Sequence, residues 1–193
     1  AMRTLPPGGG AQVELEAGKR YTYILWGLSR TGSTPAMKVT RITDDPPDPG
    51  AQVALRVINA CVPGSCGTSA DGVIDVRAFT AAQTIAAPAA LWSAVAPLTA
   101  STYQSVAAGA YTYDSRPAGG STVGAALASA AAPVGAAETI DLDALPGTNV
   151  AGSAVSAVLF PRSVSGSQAP NITTPGHLFV WDRRPPRCAA VVA

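Results

Sequence analysis

Nucleophilic hydrolysis needs a base within reach of a Ser or Cys, and the chain has a single histidine, His177. It follows Pro175-Gly176 at the start of an apolar run, which predicts an exposed turn residue rather than a base. The spacing G-x-S-x-G is missed by Gly27-Leu28-Ser29-Arg30-Thr31-Gly32. No catalytic residue is assigned, and the chain reads as a non-enzyme. Cys61 and Cys66 enclose Val62-Pro63-Gly64-Ser65, a turn-like tetrapeptide, so a short disulfide is expected. Such a bond places the chain in an oxidising compartment. Cys188 is left over; a free thiol, an inter-chain bond and a lipid- or partner-facing side chain all remain open for it. The three cysteines and His177 together could form a Cys3His zinc set. The four-residue spacer lies at the loose end of zinc-ligand spacings, so the disulfide is preferred and no metal is assigned.

Carboxylates cluster at Asp44/Asp45/Asp48, Asp71/Asp75, Asp141/Asp143 and Glu14/Glu16. Residues two apart on a strand share a face, so the last two pairs sit together. They read as solvated strand faces. A weak Ca²⁺ site at Asp71, Asp75 or the 44–48 loop is the alternative, without EF-hand spacing behind it. Arg183-Arg184-Pro185-Pro186-Arg187 is a small basic motif beside Trp181. A structural ion pair between Asp182 and an arginine is its plain reading; an acidic partner or a lipid headgroup is the other. Asn171-Ile172-Thr173 fits a glycosylation sequon and is read as accidental. No phosphate loop, dinucleotide fingerprint or haem motif occurs, so no cofactor is expected. The aromatics Tyr21, Tyr23, Trp26, Trp92, Tyr103, Tyr111, Tyr113 and Trp181 default to core packing. An exposed subset would mark a partner surface or a carbohydrate platform.

The elements behind these residues are strands. Apolar residues make up 47% of the 193, much of it Ala, while charged residues make up 13% and the net charge is +1. No broad field therefore steers nucleic acid or an anionic membrane toward the chain. The 19 Gly and 17 Pro are scattered between apolar runs, as in a many-turned β protein. No stretch is long and apolar enough to span a bilayer. The first residues hold no hydrophobic signal core, so an exported protein would be present here in a processed or truncated form.

Alternation predicts strands at Val13–Glu16, Tyr21–Trp26, Met37–Ile42, Val53–Ala60, Ile74–Phe79, Thr139–Leu142, Val155–Phe160 and Leu178–Trp181. Tyr103–Val106 and Ala110–Arg116 flank Ala107-Ala108-Gly109 as a hairpin. Leu91–Val95 fits a short strand or a helical turn. Residues 117–137 leave an Ala-rich strand or helix open. Asp44-Asp45-Pro46-Pro47-Asp48-Pro49-Gly50 is the clearest break. No capped amphipathic helix is visible, which leaves sheet packed on sheet: an antiparallel β-sandwich of Ig-like or Greek-key type.

One internal repeat stands out. VELEAGKRYTYILWG, from Val13, matches IDLDALPG, from Ile140, followed by GSAVSAVLFP, from Gly152. Residues 1–45 thus read as closing strands of one unit, 46–50 as a linker, 51–187 as a whole second unit and 188–193 as a tail.

Leu55-Arg56-Val57-Ile58-Asn59-Ala60, Ile74-Asp75-Val76 and Tyr103-x-x-Val106-x-Ala108-Gly109-x-Tyr111 resemble the bacterial DUF4397 domain family. So does Leu15-x-Ala17-Gly18-x-x-Tyr21-Thr22 running into an apolar strand and Gly27. The resemblance covers most of residues 11–115. It implies an exported or cell-surface β-sandwich, often in tandem, with no catalytic residues to carry over. The Cys61–Cys66 insertion and the incomplete first repeat depart from the pattern. Two unpaired hairpins cannot bury their apolar face alone. They extend the second unit or fill a place in another chain by strand addition. The expectation is a non-catalytic structural subunit, periplasmic or extracellular, packed on other protein subunits of an envelope or membrane-bound assembly. Tyr21, Tyr23, Trp26, Trp181, Arg183 and Arg184 are its candidate partner contacts, and membrane association would come through a partner. The alternative is a module binding carbohydrate or another cell-surface polymer.

Overall fold

The first alternating run, Arg20–Trp26 (β1), pairs antiparallel with Lys38–Asp44 (β2), and the two form a sheet of their own. The computed structural model describes residues 15–27, 31–32, 36–62, 66, 71–83, 89–119, 126–140, 142–163 and 172–185. The remaining strands are Val53–Asn59 (β3), Ile74–Thr80 (β4), Trp92–Val95 (β5), Thr99–Ala100 (β6), Gln104–Val106 (β7), Tyr111–Pro117 (β8), Ala128–Ala131 (β9), Ala154–Phe160 (β10) and Gly176–Arg183 (β11). They make two sheets. One runs β11-β10-β3-β6, with β7 also on β3; the other runs β5-β4-β8-β9. The chain is all-β. Its pairs are antiparallel except β10 with β3, which run parallel, Ala154 opposite Ala54 through Leu159 opposite Asn59.

The core lies between these two sheets. Val53, Leu55, Val57, Val155, Ala157 and Leu159 come from one side, and Ile74, Val76, Trp92, Tyr111 and Tyr113 from the other. Tyr113 stacks on Trp92 at 5.9 Å and meets Phe179 of β11 edge-on at 5.5 Å, an aromatic bridge across the sandwich. The Cys61–Cys66 disulfide is formed and both sulfurs lie in this core. Every residue of β3 is buried, on both faces. That is the pattern of a central strand covered on each side.

Two local expectations need correction. Tyr103–Val106 and Ala110–Arg116 are not the two arms of one hairpin. β7 joins β3 and β8 joins β4 and β9, so the chain crosses between sheets at Ala107-Ala108-Gly109. Gly109 N–H donates to Thr148 O, and Tyr111 Oη donates back to Ala107 O, the kind of backward bond that β-sandwich corners use. Thr139–Leu142 is not a strand. Thr139 and Leu142 close on each other as a turn, and Ile140 is fully exposed, so the alternation there has no surface to cover. In the first repeat the matching Val13 and Glu14 lie outside the described residues; just after them Lys19 N–H donates to Glu16 O, a turn that leads into β1. Leu91–Val95 resolves as strand β5, and the Ala-rich stretch contributes strand β9.

Two non-glycine residues have positive φ, Ala94 inside β5 at 53° and Leu98 in the link from β5 to β6 at 57°. Such conformations persist where surrounding bonds over-determine them. Ala94 N–H donates to Asp75 Oδ1 at 2.8 Å and Leu98 N–H to Asn59 O at 2.7 Å. Among the described residues no helix is long and apolar enough to cross a membrane.

Candidate functional site

A charge in the middle of an apolar strand must be paired, because desolvating it unpaired costs several kcal/mol. Arg56, at the centre of β3, is 2% exposed and points to the outer side of its sheet. Its Nη2 meets Asp44 Oδ1 at 2.6 Å and Asp182 Oδ1 at 3.6 Å. Its Nε donates to Ser156 Oγ at 2.8 Å. The guanidinium lies 4.6 Å from the Tyr103 ring centre. Burial pushes the Asp182 carboxyl above the ordinary range; the Ser156 hydrogen bond and Arg56 pull it back. Burial raises the Tyr103 phenol too, and the Asp182 charge adds to that.

The centre has an internal symmetry. In β10–β11, Ser156 Oγ donates to Asp182 Oδ2 at 2.5 Å. In β1–β2, Thr22 Oγ1 donates to Asp44 Oδ2 at 2.7 Å. Thr22 pairs with Ile42, two residues before Asp44, as Ser156 pairs with Val180, two before Asp182. Two hairpins of the same design thus bring their carboxylates to one arginine. The base of β1–β2 is further tied by Arg20 Nη1 donating to Asp182 O at 2.5 Å, and the linker by Arg183 Nη2 donating to Asp48 Oδ2 at 2.7 Å. The hairpin therefore neither lengthens a sheet of the second unit nor stands free of it. It sits on the outside of β3–β11 through ions. An open groove of about 630 Å³, lined by Arg41, Thr43, Ser101 and Tyr103 among others, separates β2 from the segment 98–103.

Alternation in β1–β2 then decides what faces away. Thr22, Ile42 and Asp44 share the face toward Arg56; Tyr21, Tyr23, Leu25, Val39 and Arg41 share the other. On that outer face Tyr23 is 42% exposed, Leu25 66%, Val39 44%, and Met37 beside it 53%. The more apolar face of the hairpin is the one in water.

Of the expected partner contacts, Tyr23 is on this face and exposed, and Tyr21 is on it and half-buried. Trp26 is half-buried on the opposite face, where its Nε1 donates to Thr40 Oγ1 at 3.0 Å and Lys38 lies over its ring. Trp181 is exposed at the end of β11, a different sheet. Arg183 is held by Asp48, and Arg184 is exposed. The expected ion pair of Asp182 is made with Arg56, far away in sequence, rather than with a neighbouring arginine.

His177 is not an exposed turn residue. It lies inside β11 opposite Leu159, half-buried, with Nε2 sharing a 2.8 Å hydrogen bond with Ser115 Oγ. Gly176 is already in the strand, and a Cβ there would press on the Phe160 ring. Burial lowers the imidazole pKa to about 4, against the opposing pull of Asp114. Ser115 is fully buried, so this Ser–His pair ties one sheet to the other. Asp75 binds the Ala94 and Gly119 amides, and Asp71 binds the Val73 amide. Among the described residues no three metal-ligating side chains converge. Glu14, Asp141, Asn171, Arg187 and Cys188 lie outside the described residues.

Arg56 and Ser156 had no functional reading from sequence, while Asp44 was read only as part of a solvated or Ca²⁺-binding loop and Tyr103 only among the aromatics. The signal was present: an arginine inside VALRVIN demands buried acids, and acids end both repeated hairpins. Asn59, in the same motif, is fully buried and bonds Gly72 O, Val95 O and the Cys61 amide. No protein-family model matches the chain, and no curated protein matches it.

Proposed function

We propose that the chain is a non-catalytic structural subunit of the bacterial envelope, packing on a larger extracytoplasmic or membrane-bound assembly through the β1–β2 hairpin. One observation carries the reading: the β1–β2 sheet and the adjoining Met37 turn Tyr23, Leu25, Met37 and Val39 to solvent while the opposite face is anchored. A hairpin of this size is marginal by itself, and contiguous exposed apolar side chains mark contact surfaces. The buried Cys61–Cys66 bond supports a periplasmic or extracellular location. The resemblance to the DUF4397 family points the same way, and membrane association would come through the partner.

The test is native mass measurement on gently extracted envelope, with Leu25→Asp/Val39→Asp beside the unaltered chain. The unaltered chain is expected in a complex well above its own mass, and the double variant as free monomer. Free monomer for both chains would remove the proposal.

A further inference from the structure

We infer that the contact between His177 of β11 and Ser115 of β8 is an acid-operated latch. A proton taken up at His177 Nε2 frees the Gly176–Phe179 half of β11 from the opposing sheet, while the rest of the sandwich stays folded. This device is independent of the docking reading above.

The hydrogens at hand fix the tautomer. Ser115 is fully buried, and among the described residues its hydroxyl bonds only His177 Nε2, at 2.8 Å. His177 Nδ1 is buried without a partner. A neutral imidazole carries one N–H. With that hydrogen on Nδ1, Ser115 donates to Nε2 and one donor stays unmatched. With it on Nε2, the ring donates to Ser115, and both the hydroxyl hydrogen and the bare Nδ1 are left over. The first arrangement leaves fewer buried polar groups unmatched, so Ser115 Oγ donates and Nε2 accepts. The Tyr113 and Phe179 rings, each centred 6.2 Å from the imidazole, offer Nδ1–H at most a weak π contact.

A proton on Nε2 turns that acceptor into a donor. The Ser115 hydroxyl then faces an N–H, and a ring held among aromatic side chains carries a charge. Burial accordingly lowers the imidazole pKa to about 4, against the pull of Asp114. The charged groups nearby are committed elsewhere. On β8, Asp114 is held by Arg116 at 2.7 Å. On β4, Arg77 lies opposite Asp114, and Asp75 binds the Ala94 and Gly119 amides. The Tyr111 and Tyr113 phenols stay neutral, both raised by burial. β9 and β10 carry no titratable residue. Asp182 and Arg183 sit at the far end of β11. That end is pinned by Asp182 to Ser156, Arg56 and Arg20. The Gly176–Phe179 end is fixed across the sandwich by Ser115 and by Phe179 on Tyr113, and β11 pairs with β10 alone among the described residues. Opening is therefore local. The open imidazole titrates near 6.5 and the closed one near 4, so the closed seam binds fewer protons and acid favours opening. Between those values the opening equilibrium rises by up to about 300-fold.

The chain has one histidine, so its imidazole nitrogens are identified directly by nitrogen-15 NMR of the whole chain. At pH 7 the hydrogen is expected on Nδ1, with Nε2 bare; a hydrogen on Nε2 would overturn the inference. On titration the imidazole midpoint is expected near 4. Over the same range the amides of residues 176–179 that bond β10 are expected to exchange on the order of a hundredfold faster, after correction for the intrinsic rate at each pH. The β3, β4 and β8 amides are expected to stay protected. A midpoint near 6.5, or a quickening shared equally by every strand, contradicts the latch. Two variants separate it from general acid weakening. His177→Gln removes the titrating group and is expected to abolish the acid response of residues 176–179. Ser115→Ala removes the donor to the neutral ring, so the midpoint is expected to rise by about half a pH unit or more. An acid response kept in His177→Gln, or a midpoint unmoved by Ser115→Ala, would sink the proposal.

Discussion

Replacing Arg56 by Ala removes the cation that two buried carboxylates share. The Asp44 and Asp182 side chains are 9% and 6% exposed, so water does not take over the role of the guanidinium. Breaking a buried pair from one side costs about 3–5 kcal/mol, and here one cation serves two acids. For a chain of this length each kcal/mol lowers the melting temperature by about 2–4 °C, so a fall on the order of 10 °C is expected. The loss also depends on pH, with a definite sign. Asp182 already titrates above its unfolded value because of burial, and removing Arg56 raises it further. Between the unfolded and folded values the folded state then binds more protons than the unfolded one, so stability falls as pH rises. The variant is expected to approach the unaltered chain near pH 4 and to trail it most at pH 8. Urea unfolding across that range reads both effects. Adding Asp44→Asn separates the pair energy from lost packing, and a coupling of about 1 kcal/mol or more is expected. A loss under about 1 kcal/mol at pH 7, or an equal loss at pH 4 and 8, would refute the reasoning.

Three other perturbations test separate parts of the structure. His177 is neutral when folded with a pKa of about 4, so the unfolded chain binds the extra proton between pH 6.5 and 4. Stability is expected to fall by about 3 kcal/mol as pH drops through that window, and His177→Gln should flatten this segment of the pH–stability curve. The disulfide closes a six-residue loop, so Cys61→Ser/Cys66→Ser is expected to cost about 2 kcal/mol in urea unfolding, before any packing loss. A Cβ on Gly147 would collide with the Gly135 backbone, so Gly147→Ala should cost about 2 kcal/mol or more, whereas Gly119→Ala, with open space around it, costs only its backbone strain.

Much of the fold was legible because alternation and β-branching are local. Ile74–Phe79, Val155–Phe160 and Tyr21–Trp26 form strands β4, β10 and β1 within a residue or so at each end. Pairing was less legible because it depends on distant partners. Tyr103–Val106 and Ala110–Arg116 look like hairpin arms, yet each finds better burial on a different sheet. The turn at Thr139–Leu142 shows the limit of alternation: Ile140 and Leu142 have the right period and no apolar surface opposite. Arg56 shows the same limit at the site. Its partners lie 12, 100 and 126 residues away, at Asp44, Ser156 and Asp182, and no spacing rule joins them. His177 was misjudged because Pro175-Gly176 resembles a turn while Gly176 in fact makes room for Phe160.

The ionic anchor has a consequence for docking. An anchor on the outer face would consume what a partner needs, whereas Asp44, Arg56 and Arg20 hold the hairpin from the opposite side. The hairpin is then presented already formed, and a partner does not have to order it on contact. Asp44→Asn tests this from a position on the opposite face to Tyr23. Arg56 keeps Asp182 and Ser156, so the body stays folded, while the base of the hairpin loses its charged bond. If the anchor preorganises the hairpin, retention in the native complex should weaken by about tenfold, which is about 1.4 kcal/mol of ordering returned to the binding step. Exchange of the β1 and β2 amides in the isolated chain should quicken in parallel, with the β3 and β10 amides unchanged. Quicker exchange in the hairpin with unaltered retention would show that orientation at Arg56 contributes nothing to docking.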